Sequence, residues 1–209
     1  LDPSGRHLSV GQPCAGVSVT IRDDDADLPA GREGEILVKS PGLMLGYYNN
    51  LELTRQVLTA DGWLRTGDLG LLDAQGYLYI TGRIKDLIIV VGESIHPADV
   101  EELVDEVAGV RYSAAVGIDS ERLGTQRLYV VAEVRDTEAD HEGFSHLARD
   151  IVQRVRLGRG HRPARVLLVK PQAIPKTSSG KIQRSRLAQM IAAGEFRDQV
   201  LHATGLHRE

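Results

Sequence analysis

Three short stretches of the 209-residue chain hold residue types and spacings suited to binding hydroxyls and anions. The first is Thr66-Gly67-Asp68. An Asp on a glycine-rich bend can offer both carboxylate oxygens to a vicinal diol, such as that of a ribose, through short charge-assisted hydrogen bonds. Its competing reading is an Asp that closes its own turn through the backbone. The second is Thr81-Gly82-Arg83-Ile84-Lys85-Asp86, where Arg83 brings a planar donor fork suited to hydroxyls or phosphate. Taken alone, that run also reads as a solvated linker. The third runs from Ile174 to Arg184, with Lys176, Lys181, Arg184 and Arg186 in residues 175–186 and no acid among them. It reads as an anion-seeking loop with Lys181 at its tip, or as a basic surface loop. It is not a Walker phosphate loop: Ile182 follows Gly180-Lys181 where Ser or Thr is required, and Pro175 stands where the first Gly belongs.

Residue types of this kind act only if firm elements hold them. Residues 1–81 read as rich in strands and turns. Val17, Val19 and Ile21 alternate with Ser18 and Thr20, the period of a half-buried strand. Glu35–Ser40 reads as a second strand, Thr54–Leu58 as a helical turn capped by Thr54, and residues 62–70 as a loop or a sharply bent strand. Leu71–Asp73 and Tyr77–Thr81 flank Ala74-Gln75-Gly76 as a hairpin. The texture changes after Gly82. Leu87–Val91 reads as an apolar strand, Gly92-Glu93-Ser94 as a turn, and Pro97 as the start of a helix, where its missing N–H costs nothing. Val100, Leu103, Val104 and Val107 share one face of that helix, and Phe144, Leu147, Ala148, Ile151 and Val155 mark another. Ala114–Ile118, Leu128–Val134 and Val166–Val169 read as strands, Ile182–Ala193 as a third helix, and residues 194–209 as a frayed tail. The fold class expected is α+β: a β-rich subdomain over 1–82, a short junction over 83–86, and a small α+β domain over 87–193.

Composition narrows the classes of function. Lys and Arg number 25 against 29 Asp and Glu, a formal charge of −4, which carries no overall basic footprint for nucleic acid. The single cysteine, Cys14, excludes an intramolecular disulfide framework and reads as a small buried apolar residue. The longest apolar run, Leu87–Val91, is far short of the ~20 residues of a membrane helix. No metal-ligand cluster is evident, and no charged start leads into an apolar segment. The chain opens on Leu1 inside the turn signal Asp2-Pro3-Ser4-Gly5 and is expected to be a piece of a longer, cytoplasmic protein.

Five ordered stretches make a more specific case. They are Gly34-Glu35-Ile36 through Gly46-Tyr47-Tyr48; Trp63-Leu64-Arg65-Thr66-Gly67-Asp68; Gly82-Arg83-Ile84-Lys85-Asp86-Leu87-Ile88; Gly92-Glu93-Ser94-Ile95-His96-Pro97 with Val100-Glu101; and Pro175-Lys176-Thr177 through Gly180-Lys181. In order and spacing they resemble the adenylate-forming ligases, over about residues 10–190. This family includes acyl-CoA synthetases, fatty acyl-AMP ligases, peptide-synthetase adenylation domains and luciferases. Residues 82–90 and 174–184 look most like fatty acyl-AMP ligases, whereas Gly92–Pro97 has the commoner acyl-CoA ligase form.

The resemblance implies a two-step reaction. A carboxylic acid, here expected to be fatty, and MgATP give an acyl adenylate; a phosphopantetheine thiol then displaces AMP. The acceptor implied is acyl carrier protein, with free coenzyme A or a peptide-synthetase setting as alternatives. Lys181 matches the family's catalytic lysine, Asp68 and Arg83 its nucleotide-binding pair, and Lys85 with Asp86 its hinge. Gly92, Glu93 and Ser94 match the turn facing the pantetheine channel, although Gly92 also reads as a plain turn glycine and His96 as a helix-start residue. ATP and Mg2+ are expected to be held mainly by residues outside this chain, so the chain alone is expected to be inactive. A non-enzymatic alternative is a separate carrier-protein docking or regulatory module.

Overall fold

The structure is a computed structural model and describes residues 1, 2, 5 and 7–205. It divides into two compact units, Leu1–Lys85 and Asp86 onward.

The first unit is built on six strands: β1 (Ser9–Gly11), β2 (Ser18–Asp23), β3 (Ala26–Asp27), β4 (Gly34–Lys39), β5 (Leu64–Leu72) and β6 (Leu78–Arg83). They form one antiparallel sheet in the order β1-β6-β5-β4-β2-β3. Ile21, Ile36, Leu37, Leu69, Leu71 and Tyr79 are its buried apolar residues. Gly70 lies where β5 passes tightly between its neighbours. A Cβ there would sit 2.4 Å from the Tyr79 carbonyl oxygen and 2.7 Å from Ile36 Cδ1. Gly70→Ala is therefore expected to force β5 away from β6, at a cost of about 3 kcal/mol. Hydrogen exchange checks this: β5 and β6 amides should lose protection while those of the second unit keep theirs.

A short helix, α1 (Leu51–Val57), connects β4 and β5. It starts earlier than the sequence reading placed it. The Asn50 side chain accepts from Leu53 N–H at 3.0 Å, an N-cap stronger than Thr54 could supply from within the helix. Cys14, expected to be buried, is exposed. It sits in the turn between β1 and β2, closed by Val17 N–H on the Cys14 carbonyl at 3.0 Å, and lies outside the buried core.

The second unit begins with a hairpin of β7 (Ile88–Val90) and β8 (Glu93–Ile95), followed by α2 (Pro97–Asp105). Two long antiparallel strands come next, β9 (Val110–Ser120) and β10 (Thr125–Val134). Then α3 (His141–Arg159) carries the chain to β11 (Arg165–Val169), which lies parallel to β10. Asp140 caps α3 by accepting from Gly143 N–H at 2.8 Å, and Gly160 ends it in the left-handed region at φ 73°. The chain closes with α4 (Arg184–Ala192) and β12 (Val200–Ala203).

The sheet order is β12-β11-β10-β9, and both faces are covered. On one face, Val100 and Val104 of α2 and Phe144, Ala148, Ile151 and Val155 of α3 meet Leu128, Val130, Ala132, Val166 and Leu168. On the other, Leu187 of α4 meets Ala114, Val116, Tyr129, Val131, Leu167 and Val169. The period of two divides each strand between the two cores. Strand β10 is buried on both sides, which explains its almost unbroken apolar run.

Residues 194–205 are not the frayed tail expected. Val200–Ala203 pair with β11 and form the edge strand of the sheet, covering backbone groups that β11 would otherwise leave open. Residues 206–209 of that reading lie outside the described residues. Among the described residues, no helix is long and apolar enough to cross a membrane.

Candidate functional site

In the first unit, Thr66-Gly67-Asp68 forms a bulge in β5. Leu37 is opposite Arg65 but Glu35 is opposite Leu69, so three residues of β5 face Ile36 alone. Gly67 takes φ 71°, a conformation suited to glycine. The Thr66 hydroxyl donates to the Ile36 carbonyl at 2.7 Å and accepts from Asp68 N–H at 3.1 Å. Gly67 N–H donates to Glu35 Oε1 at 3.2 Å. Thr66 thus closes the turn, and the Asp68 carboxylate is left to act elsewhere.

Across the ladder, Asp68 is in register with Arg83 of β6. Arg83 Nε stands 2.7 Å from Asp68 Oδ1, with the two side chains 52% and 27% exposed. The pair presents a partly exposed carboxylate beside a half-exposed guanidinium. That set can take a diol and a neighbouring anionic or hydroxyl group together.

Ile84–Asp86 makes a single tight helical turn, and the boundary between the units follows Lys85. Lys85 is exposed. Asp86 is partly buried and faces Arg184 of α4 at 3.6 Å.

In the second unit, the Lys181 loop is closed at its base. Lys176 and Ile182 form a bridge. Thr177 N–H donates to the Lys181 carbonyl at 2.8 Å, and Lys181 N–H donates to the Thr177 hydroxyl at 3.1 Å. Gln183 adds two bonds, its N–H to the Pro175 carbonyl at 2.9 Å and Nε2 to the Lys176 carbonyl at 2.9 Å. Beneath, Glu133 is 1% exposed and accepts from Ile174 N–H at 3.1 Å, fixing the start of the loop. Arg111 Nη1 lies 3.2 Å from the same carboxylate.

Of the four cations in this acid-free stretch, other elements engage two, Lys176 and Arg184. Lys176 Nζ lies 3.3 Å from the centre of the Tyr112 ring, a cation–π contact. Arg184 holds Glu101 of α2 with Nε at 3.1 Å and Nη2 at 2.6 Å. Burial pushes the Glu101 carboxyl up, and the Arg184 guanidinium works against that. Lys181 and Arg186 are exposed, with no side-chain polar partner among the described residues. Lys181 is therefore a free ammonium on a loop pinned at both ends.

Val91 and Gly92 join β7 to β8 in a two-residue turn with φ 50° and 81°, a tight hairpin that glycine suits and a β-branched residue does not. Glu93 faces His161 at 3.6 Å and is 72% exposed; Ser94 is exposed beside it. A cleft of about 640 Å³ opens there, lined by Ile89, Val91 and Gly92 against Asp119, Ser120 and Leu123. Strand β9 relates this cleft to the lysine loop. Tyr112, under Lys176, and Asp119, in the cleft, are seven residues apart along it, about 23 Å. The two features occupy opposite ends of one strand.

Sequence reasoning did not find Glu133 or the Glu101–Arg184 pair. Glu133 carried a signal, a lone acid inside the apolar run Leu128–Val134. Glu101 and Arg184 are 83 residues apart, and nothing local links them. Among the described residues no group of three or more His, Cys, Asp or Glu is placed to hold a metal ion.

Comparison with known proteins is consistent in direction. The family described as AMP-binding enzyme matches residues 1–48, and AMP-binding enzyme C-terminal domain matches residues 99–181. A sulfoacetate–CoA ligase of Cupriavidus necator is 36% identical over 189 residues, 90% of this chain and 36% of that protein. The long-chain-fatty-acid–CoA ligase FadD13 of Mycobacterium tuberculosis is 33% identical over 185 residues, 88% of this chain and 35% of that protein. Among solved structures, McyG A-PCP complexed with phenylalanyl-adenylate superposes with a TM-score of 0.79 at 32% identity, covering 93% of this chain and 35% of that one. The chain thus spans about a third of the length of the relatives it matches.

Proposed function

Since the chain belongs to the adenylate-forming, AMP-binding enzymes and represents their C-terminal part, we propose that it closes a longer ligase that activates a carboxylic acid with ATP. In the first step a carboxylate oxygen attacks the α-phosphorus of MgATP. The bond to pyrophosphate breaks, and the acyl adenylate forms. In the second a thiol sulfur attacks the acyl carbon, AMP leaves and the thioester remains. No residue of this chain is assigned to Mg2+, which enters with the nucleotide.

The observation that carries this reading is the free ammonium of Lys181 on its pinned loop. Negative charge gathers on phosphate and carboxylate oxygens during the first step, and a fixed cation stabilises it without proton transfer. A compact ammonium suits two different anions better than a planar fork. Asp68 and Arg83 hold the ribose and its neighbourhood. Lys85 is the pivot, and the Gly92 turn serves the thiol at the far end of β9.

For the acceptor we favour free coenzyme A. The relatives above are named as CoA ligases, and Gly92–Pro97 has the acyl-CoA ligase form. Acyl carrier protein is the second reading, supported by the fatty acyl-AMP ligase character of residues 82–90 and 174–184. Fatty acids are the proposed substrate class, in keeping with FadD13, while the sulfoacetate–CoA ligase makes a small carboxylic acid the second reading.

The test uses the full-length protein. Carboxylate-dependent release of pyrophosphate from ATP, followed by thioester formation on coenzyme A, supports the reading. Absence of pyrophosphate release across a panel of short and long carboxylic acids contradicts it. A docking module without catalysis would instead bind carrier protein in a calorimetric titration and release no pyrophosphate. Asp68→Asn removes the charge from one hydrogen-bonding carboxylate and is expected to weaken ATP binding by about tenfold or more. Unchanged affinity, measured by titration of the full-length enzyme, would count against the ribose role.

A further inference from the structure

Arg184 directs all three of its nitrogens at carboxylates of two separate elements. Nε and Nη2 grip Glu101 of α2 at 3.1 and 2.6 Å, and Nη1 faces Asp86 at 3.6 Å. The three side chains are 21%, 12% and 21% exposed. Glu101 is fixed in turn, because Ala115 N–H of β9 donates to its Oε1 at 2.9 Å. Arg184 is also the first residue of α4, three positions after Lys181, and the preceding Gln183 makes the two bonds that close the loop. One guanidinium therefore joins the first residue past the unit boundary, α2, β9 and the base of the lysine loop.

We propose that Arg184 is a positioning residue: it clamps Asp86 and Glu101 to the base of the Lys181 loop, so that the backbone turns at Lys85 alone and Lys181 moves with the second unit as one body. The inference rests on the proposed role of Lys181 in the first half-reaction. Asp86 matched the hinge by resemblance, but its contact with Arg184 places it on the rigid side. A planar fork is needed, since two directed donors to Glu101 with an ion pair to Asp86 at the same time exceed what an ammonium on a flexible stem can hold in one geometry. The clamp meets β9 at Ala115, about 13 Å along the strand from Asp119 in the Gly92 cleft, and its other side is the base of the Lys181 loop, so loosening it disturbs the first half-reaction more than the second.

The experiment compares Arg184→Gln, Arg184→Lys and Asp86→Asn with wild type in the full-length enzyme. It reads kcat and ATP KM of pyrophosphate release, and thioester formation from supplied acyl adenylate. Misplacing a catalytic group by a fraction of an ångström is expected to lower the adenylation kcat by about tenfold in Arg184→Gln. ATP KM and the thioester step should stay within about twofold of wild type. Arg184→Lys should fall between Arg184→Gln and wild type, and Asp86→Asn should show the same pattern at smaller size. If Arg184→Gln does not fold, Asp86→Asn decides, because it leaves the Glu101 grip intact. Equal losses in both half-reactions alongside a lower melting temperature overturn the proposal, as does an unchanged adenylation kcat. A Lys181→Ala control separates the two levels. If adenylation ignores Lys181, the reading of the loop fails and the clamp with it; if it needs Lys181 but ignores Arg184 and Asp86, only the clamp fails.

Discussion

Lys181→Ala is expected to slow carboxylate-dependent pyrophosphate release by the full-length enzyme by roughly 10²–10³-fold, the usual cost of removing one preorganised charge-stabilising group. The side chain is exposed and without a polar partner among the described residues, so its loss touches no packing and the melting temperature should hold. The loop itself survives, because its closure depends on the Lys181 backbone, Thr177 and Gln183 rather than on the ammonium. The substitution therefore removes one charge from one place. If the charge acts on the developing transition state, kcat falls while ATP KM changes little. Thioester formation from supplied acyl adenylate should proceed near the wild-type rate.

Lys85→Pro is expected to produce the opposite asymmetry, with thioester formation falling about tenfold or more beyond any loss in adenylation. Proline fixes φ near −65° and removes an N–H. It also pushes Ile84 out of the helical region, so the turn Ile84–Asp86 can no longer close as it does now. Hinge switching concentrates a large change in a few backbone angles while the packed bodies stay rigid. A pivot locked at Lys85 would leave the enzyme in one arrangement. The lysine end and the Gly92 end of β9 could then not take turns at the reacting centre. Both half-reactions falling by one common factor would remove Lys85 from this role.

Much of this was legible in the sequence because it is written locally. The period-two run at β2, the short apolar run at β4, the Pro97 helix start and the apolar faces of α2 and α3 each lie within about a dozen residues. Lys181 was also legible, since a glycine, hydroxyl-bearing residues and an absence of acids mark a loop tip. What the sequence hid was partnership. Four cations between 175 and 186 read as one anion-binding group, yet Tyr112 engages Lys176 and Glu101 engages Arg184. Those partners come from other elements and were brought near by the β9–β10 sheet. Val200–Ala203 hid for the same reason: a four-residue edge strand has little pattern of its own, and β11 supplies its reason to exist. Cys14 misled because a small apolar residue prefers the interior only where an interior is within reach, and its turn sits at the surface.

The central claim is that one small domain presents two ends of a strand to two successive reactions about a pivot at Lys85. The most direct measurement is the ratio of adenylation rate to thioester-formation rate in Lys181→Ala and Lys85→Pro, side by side in the full-length enzyme. The account predicts a ratio well below wild type for Lys181→Ala and well above it for Lys85→Pro. Two ratios that move in the same direction, or that both stay at the wild-type value, would contradict it.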